Sequence, residues 1–120
     1  EGLLKLKIQK AQLARDTEVF SKMDPFCRFE YEGQVFKTKT KDEAGKDPVW
    51  NQVFQFKAHT DKPILFSVLD EDLMSNDVVG TAMLKIEDLV SEGTHLEEVY
   101  LTWEGQKAGS LWVETEFKPL

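Results

Sequence analysis

Apolar and polar side chains alternate with a period of two residues along most of this 120-residue chain. In the first such run, Leu4, Leu6 and Ile8 alternate with lysine and glutamine. Similar runs cover residues 27–31, 36–41, 50–56, 64–68, 80–84, 99–103 and 111–117. A period of two places every second side chain on the same face of a β-strand, so each run is typical of a strand that is buried on one face. The pattern therefore predicts an all-β fold of about eight strands.

Turn residues separate these runs at regular intervals. Glu32-Gly33 is typical of a tight hairpin turn, and a longer polar hairpin is predicted over residues 104–109. Only residues 86–90 have a helical pattern, which is long enough for one or two turns. Many short strands with regular turns predict an eight-stranded antiparallel β-sandwich of two sheets, formed as a single domain by residues 1–120.

Composition and charge exclude several classes of function. The net charge of −7 argues against nucleic acid as a partner, and no apolar run approaches the length of a membrane span. Cys27 is the single cysteine, which excludes an internal disulfide and a cysteine-rich zinc site. A lone thiol is typical of the reducing cytosol, so we expect a cytoplasmic protein.

Two acidic clusters each follow an alternating apolar run. Their carboxylates belong to Asp16, Glu18, Asp24, Asp70, Asp72 and Asp77. Two unit charges 4 Å apart at an effective dielectric near 20 repel by roughly 4 kcal/mol, so the clusters would meet at one end of a sandwich only around a cation. Ca²⁺ takes six to eight oxygen ligands in irregular geometry and is the predicted ion. The alternative is a pair of solvated turns, because Asp is a common turn residue.

Several short motifs, taken in order, resemble the C2 domain family over nearly the whole chain. Met23-Asp24-Pro25-Phe26 resembles the Asp-Pro-Tyr signature of that family. The other motifs are Lys37-Thr38-Lys39, Asp47-Pro48-Val49-Trp50-Asn51, Val68-Leu69-Asp70-Glu71-Asp72 and Asp77-Val78-Val79-Gly80. The resemblance implies a Greek-key sandwich of type II topology, in which the last strand is one that other members place first. It is nearest to the small C2 proteins of plants and protists.

The resemblance also implies a Ca²⁺-dependent phospholipid-binding module that targets membranes. Carried over by position, the metal ligands of the family fall on Glu18, Asp24, Asp70, Asp72 and Asp77. The family usually has Asp where this chain has Glu18, and Asp16 lies two residues earlier. The ligand from the first loop therefore stays open between Asp16 and Glu18. Anionic lipids are the implied partner, and the expected location is cytoplasmic with peripheral membrane binding when Ca²⁺ rises.

Apolar residues interrupt both acidic clusters. Val19 and Phe20 lie within the first, and Leu73 and Met74 lie within the second. Neither pair continues a strand pattern, so we expect these side chains to point away from the core and insert into a bilayer interface beside the cation. The alternative is that they pack on one another as a small cluster between the loops.

Three lysines occupy alternate positions within the third predicted strand, namely Lys37, Lys39 and Lys41. A strand would place all three on one face, and the family resemblance implies that such a basic face binds phosphoinositide headgroups. The alternative is a solvated face on which lysines protect a sheet edge from unwanted pairing.

No pattern supports catalysis, because the chain has no nucleophile with its base in a recognised order, no glycine-rich phosphate loop and no zinc spacing. We therefore expect a binding module and not an enzyme. The alternative function is a C2 domain that binds a protein partner without Ca²⁺, through a sheet face or through its apolar loop tips.

Overall fold

The computed structural model describes residues 1–18, 21–59, 61–72, 75–89 and 93–120, with the backbone alone for residues 88 and 89. Its strands are β1 (Gly2–Leu13), β2 (Pro25–Tyr31), β3 (Gln34–Lys37), β4 (Val49–Ala58), β5 (Pro63–Asp70), β6 (Asp77–Lys85), β7 (Thr94–Trp103) and β8 (Gln106–Pro119). A 3₁₀ helix, Ile86–Leu89, joins β6 to β7 at the predicted helical position. No helix in the described ranges is long and apolar enough to cross a bilayer.

The strands form one curled antiparallel sheet in the order β3-β2-β5-β6-β7-β8-β1-β4. Its two halves fold over one another, so that β3-β2-β5-β6 (sheet I) faces β7-β8-β1-β4 (sheet II). The halves are joined where Thr81 of β6 pairs with Thr102 of β7. The ring of Phe29 on β2 lies 5.1 Å from that of Phe54 on β4, which shows the two layers in contact. The predicted eight-stranded antiparallel sandwich is confirmed.

The core forms from the side chains that the alternation assigns to one face. Leu4, Leu6 and Ile8 of β1 are fully buried, while the intervening Lys5 is exposed. Phe29 stacks on Phe36 with ring centroids 4.7 Å apart, at the centre of an aromatic group that joins the two sheets. Burying one such apolar side chain contributes about 1.5–3 kcal/mol, so the period of two is what fixes which face of each strand turns inward.

Two hairpins close with two-residue turns. Glu32 and Gly33 have φ angles of 46° and 80°, as a tight turn between twisted strands requires. Glu104 and Gly105 have 49° and 77°, so the longer hairpin predicted over residues 104–109 is wrong. The polar sequence here is strand, because β8 starts at Gln106 and Gly109 is buried at φ 140° against the backbone of β1.

The strand predicted through residue 41 ends at Lys37. At the next position the Thr38 hydroxyl accepts from the Cys27 amide (2.9 Å), although the Thr38 amide still donates to the Cys27 carbonyl (2.8 Å). The hydroxyl thus takes the place of a backbone carbonyl in the ladder. The Pro25 carbonyl then accepts from the Lys41 amide, where the register of β2 and β3 would place Thr40. The prediction that Lys37, Lys39 and Lys41 alternate along one strand is therefore wrong.

Candidate cation site

The two acidic clusters lie in loops at the same end of the sandwich. Residues 14–24 connect β1 to β2 (loop 1), residues 38–48 connect β3 to β4 (loop 2), and residues 71–76 connect β5 to β6 (loop 3). Pro25 pairs with Asp70, and Asp70 pairs with Asp77. Antiparallel register therefore places the end of loop 1 beside both ends of loop 3.

Asp70 is the central residue of this end, and its side chain is completely buried. Its Oδ1 accepts a hydrogen bond from the Asp24 amide (2.8 Å), and its Oδ2 accepts one from the Thr17 hydroxyl (2.7 Å). Both donors belong to loop 1. Burying a carboxylate costs free energy unless it is hydrogen-bonded or paired with a cation. Here the two donors, the Thr17 hydroxyl and the Asp24 amide, are both neutral.

Asp24 connects all three loops. Its carbonyl accepts from the Glu71 amide of loop 3 (2.9 Å), and its carboxylate Oδ1 accepts from the Glu43 amide of loop 2 (2.6 Å). Glu43 has a φ of 55°, so loop 2 adopts a left-handed turn as its amide reaches Asp24. The three loops are thus held together by backbone amides and two aspartate side chains.

Glu18 and Asp16 have different roles in loop 1. The Asp16 side chain accepts from the Glu18 amide (2.9 Å), which is a local turn contact on an exposed residue. The pKa of Glu18 is raised, first because its protonated carboxyl can hydrogen-bond Asp70 and then by the negative charge of Asp70, by desolvation and by the charges of Asp72 and Asp77. Of the two candidate ligands, Glu18 is the one whose carboxyl interacts with Asp70, Asp72 and Asp77, the aspartates in and beside loop 3.

These residues fit a hard divalent cation in donor chemistry and charge. They offer carboxylate oxygens, and the pKa of Glu18 is raised first by a hydrogen bond with Asp70 and then by the negative charges of the aspartates around it. Arg15 is held to one side, where it stacks on Trp103 (4.6 Å) and donates to the Val78 carbonyl (3.4 Å). Within the described residues, however, no three His, Cys, Asp or Glu side chains are arranged as ligands of one ion.

The structure places the remaining predicted residues as follows. Val19, Phe20, Leu73 and Met74, the predicted inserting residues, lie outside the described residues. Lys37 and Lys39 line an open cavity of about 400 Å³ between loop 2 and loop 3. The cavity is also lined by Phe26, Thr38, Thr40, Gln52, Glu71 and Asn76. Lys41 is exposed but does not line it.

Sequence reasoning missed Thr17, whose hydroxyl holds the buried oxygen of Asp70. A threonine between two acidic residues carries no pattern that points to a partner 53 positions away. It also missed loop 2, which joins the site through the Glu43 amide and not through a side chain.

Comparison with known proteins identifies the family. The sequence profile described as "C2 domain" matches residues 2–103. The chain belongs to the C2 domain family. The match ends before β8, yet β8 pairs along both β7 and β1, so this C2 domain needs residues beyond the matched range to complete its sheet.

The curated relatives of this C2 domain include small plant proteins. Elicitor-responsive protein 3 of Oryza sativa subsp. japonica is 27% identical over 122 residues, which cover 99% of this chain and 85% of that protein. The 16 kDa phloem protein 2 of Cucurbita maxima is 32% identical over 59% of this chain, and the match spans 56% of its own length. A "Calcium-dependent lipid-binding protein" of Arabidopsis thaliana is 30% identical over 74% of the chain, and only 18% of that protein is covered.

Solved structures give the same fold. A C2 domain of plant Extended Synaptotagmin 1 superposes with a TM-score of 0.90 at 23% identity, and the match covers 99% of this chain and 95% of that one. The resemblance to small plant C2 proteins is confirmed, and the coverage includes β8.

Proposed function

We propose that this C2 domain is a Ca²⁺-dependent phospholipid-binding module that brings its protein to anionic membranes. The observation that carries the proposal is the buried Asp70, which accepts from Thr17 and Asp24 of loop 1 and whose carboxylate raises the pKa of Glu18. The Arabidopsis relative described as a calcium-dependent lipid-binding protein supports the same function.

Asp70, Asp72 and Asp77 on one side, with Glu18 and Asp24 on the other, are the residues that would hold the cation. Bound Ca²⁺ supplies positive charge that neutralises the carboxylates and attracts lipid phosphate. The hydrogen bonds to Asp70 keep loop 1 and loop 3 adjacent, so that carboxylates from both loops are available to one site. Because the chain carries a net charge of −7, it would otherwise be repelled by an anionic surface.

The raised pKa of Glu18 gives the site a proton dependence. Above that pKa the ionised Glu18 repels Asp70, Asp72 and Asp77 and destabilises the metal-free fold. Lowering the pH through the raised pKa protonates Glu18 and relieves this repulsion. A cation needs the ionised carboxyl, so cation affinity should fall over the same pH range.

A second function, binding of a protein partner without Ca²⁺, is supported by the outer face of sheet I. Val35, Leu65 and Met83 lie in one cross-strand row and are 52%, 47% and 56% exposed. Glu30 separates Val35 from Leu65 in that row. Exposed apolar side chains in register on a sheet face suit contact with another protein.

Sedimentation with phosphatidylserine/phosphatidylcholine vesicles separates these functions. The protein is expected to pellet with vesicles in Ca²⁺ and to stay in the supernatant in EDTA, with Mg²⁺ as the matched divalent control. Pelleting that is equal in Ca²⁺ and EDTA would contradict the proposal, and an absence of pelleting in both would favour the protein-binding function.

The open cavity lined by Lys37 and Lys39 supports phosphoinositides as a further lipid ligand. Lys37 and Lys39 line it together with the amides of Gln52 and Asn76, so a multiply charged headgroup would find both cations and hydrogen-bond donors. Each basic residue near an anionic surface is worth about 1 kcal/mol. Reversing both, Lys37→Glu and Lys39→Glu, should weaken binding to phosphoinositide vesicles at least about tenfold and binding to phosphatidylserine vesicles much less.

The matched control is Lys57→Glu with Lys62→Glu, the same charge change at two exposed lysines near the opposite end of the sandwich. Sedimentation over a salt series measures both pairs. If the two variants lose affinity equally on both lipids, Lys37 and Lys39 add only diffuse charge and the solvated-face alternative is correct.

A further inference from the structure

Thr17 of loop 1 makes a hydrogen bond to a buried carboxylate outside its own loop. Its hydroxyl donates to the Oδ2 of Asp70 at 2.7 Å, and Asp70 is completely buried. The other oxygen of Asp70 accepts from the Asp24 amide at 2.8 Å. Each oxygen of this carboxylate therefore receives one donor from loop 1, which fixes the rotation of the carboxylate about its own axis.

We propose that Thr17 is a positioning residue that acts through Asp70 to hold loop 1 against loop 3 before any cation binds. The Asp24 carbonyl also accepts from the Glu71 amide (2.9 Å), so among the described residues three hydrogen bonds join loop 1 to Asp70 and to the start of loop 3. Of these, only the Thr17 contact has a side-chain donor, so replacing Thr17 removes that contact alone, whereas replacing Asp70 would affect two of the three.

The energetic reason is the asymmetry of buried hydrogen bonds. Removing the hydroxyl leaves a buried, charged oxygen without its donor, which costs more than the hydrogen bond itself contributes. Asp70 would then turn toward solvent, where water can hydrogen-bond the oxygen that Thr17 has left. That movement loosens loop 1 from loop 3, because Asp70 also holds the Asp24 amide.

A consequence for Ca²⁺ rests on the proposed function. Residues that orient a metal ligand typically alter metal affinity by about 10-fold to 100-fold when they are replaced. A cation that finds Asp70 already oriented and both loops in place loses less free energy in ordering them. Loss of the Thr17 hydroxyl should therefore weaken Ca²⁺ binding about tenfold.

The test compares Thr17→Val, which removes the hydroxyl at nearly constant shape, with Thr17→Ser, which keeps it. Thr81→Val is the matched control, an exposed threonine on β6. Amide hydrogen exchange in EDTA reports on the loops without any cation. In Thr17→Val the Asp24 and Glu71 amides should exchange about tenfold faster, while amides of the central strand β8 keep their wild-type rates. Thr17→Ser and Thr81→Val should match wild type.

A second comparison covers the case in which Thr17→Val folds poorly. Asp70→Asn keeps a partner for Thr17, since the hydroxyl can accept from the amide group as well as donate. Thr17→Val should therefore accelerate exchange more beside Asp70 than beside the neutral side chain of the Asp70→Asn variant. Equal acceleration in the two backgrounds, or wild-type exchange at both amides in Thr17→Val, overturns the proposal.

Calorimetric Ca²⁺ titration of the same proteins keeps the two proposals distinct. If wild type binds no Ca²⁺, the proposed function fails, while amide exchange still decides the role of Thr17. If wild type binds Ca²⁺ and Thr17→Val binds it with equal affinity, Thr17 does not position Asp70 for the cation, and that part of the inference is wrong.

Discussion

Saturating Ca²⁺ is expected to raise the melting temperature by about 10 °C, and the variant Asp72→Asn/Asp77→Asn is expected to lose most of that shift. An ion that binds only the folded state at about 100 times its Kd stabilises it by about 2.7 kcal/mol. For a chain of this size, 1 kcal/mol corresponds to roughly 4 °C. Calorimetric melting with Ca²⁺ and with EDTA measures the shift.

The choice of Asp72 and Asp77 follows from the structure. Both are exposed, whereas Asp70 is buried and holds loop 1, so replacing Asp70 would also alter the metal-free protein. Asp61→Asn is the control, because it removes one exposed carboxylate between β4 and β5 at the other end of the sandwich. A full Ca²⁺ shift in the Asp72→Asn/Asp77→Asn variant would place the cation elsewhere.

The second large effect is expected at the membrane. Replacing Phe20, Leu73 and Met74 by Gln should weaken Ca²⁺-dependent vesicle binding by about 100-fold and leave Ca²⁺ affinity in solution unchanged. Full burial of each side chain is worth about 1.5–3 kcal/mol, so partial insertion of three gives about 3 kcal/mol. Each 1.4 kcal/mol is a factor of ten in affinity. Vesicle sedimentation and calorimetric titration give the two affinities.

The chain provides a control that is matched in apolar area. Val35, Leu65 and Met83 are exposed on the outer face of sheet I, away from the loops, and can be replaced by Gln in the same way. This control should bind vesicles as wild type does. If both triple variants bind equally well, the loop tips do not insert and attraction to lipid is ionic alone. If only the sheet variant loses binding, that face is the one in contact with the membrane.

The strands were predictable because a period of two is a direct consequence of strand geometry. Leu4, Leu6 and Ile8 needed only their spacing to be assigned to the core, and Glu32-Gly33 needed only the positive φ angles that a two-residue turn imposes. The same reasoning failed at Thr38, where a side-chain hydroxyl replaces a backbone carbonyl in the ladder. Alternation in the sequence does not show that a hydroxyl takes the place of the carbonyl. Lys39 and Lys41 were therefore assigned to a strand that ends at Lys37.

The candidate site was predictable in its residue types but not in its contacts. Asp24, Asp70 and Asp77 flank strand ends, and antiparallel register brings such ends together. The partners of Asp70 depend on how loop 1 folds over loop 3, and nothing local in the sequence specifies that path. For the same reason, the choice between Asp16 and Glu18 needed the structure, which uses the first in a local turn and turns the carboxyl of the second toward Asp70.

The position of β8 has a consequence for how this protein folds during synthesis. Strand β8 lies between β7 and β1, so the longest ladder of sheet II joins the first strand of this domain to its last. Until β8 has left the ribosome, β1 and β7 each keep an unpaired edge. The sheet therefore cannot form by adding one strand at a time in chain order. Contacts of such large sequence separation also slow the search for the native state. We therefore expect the domain to fold cooperatively, and only after β8 has been synthesised, because β1 needs β8 as a partner.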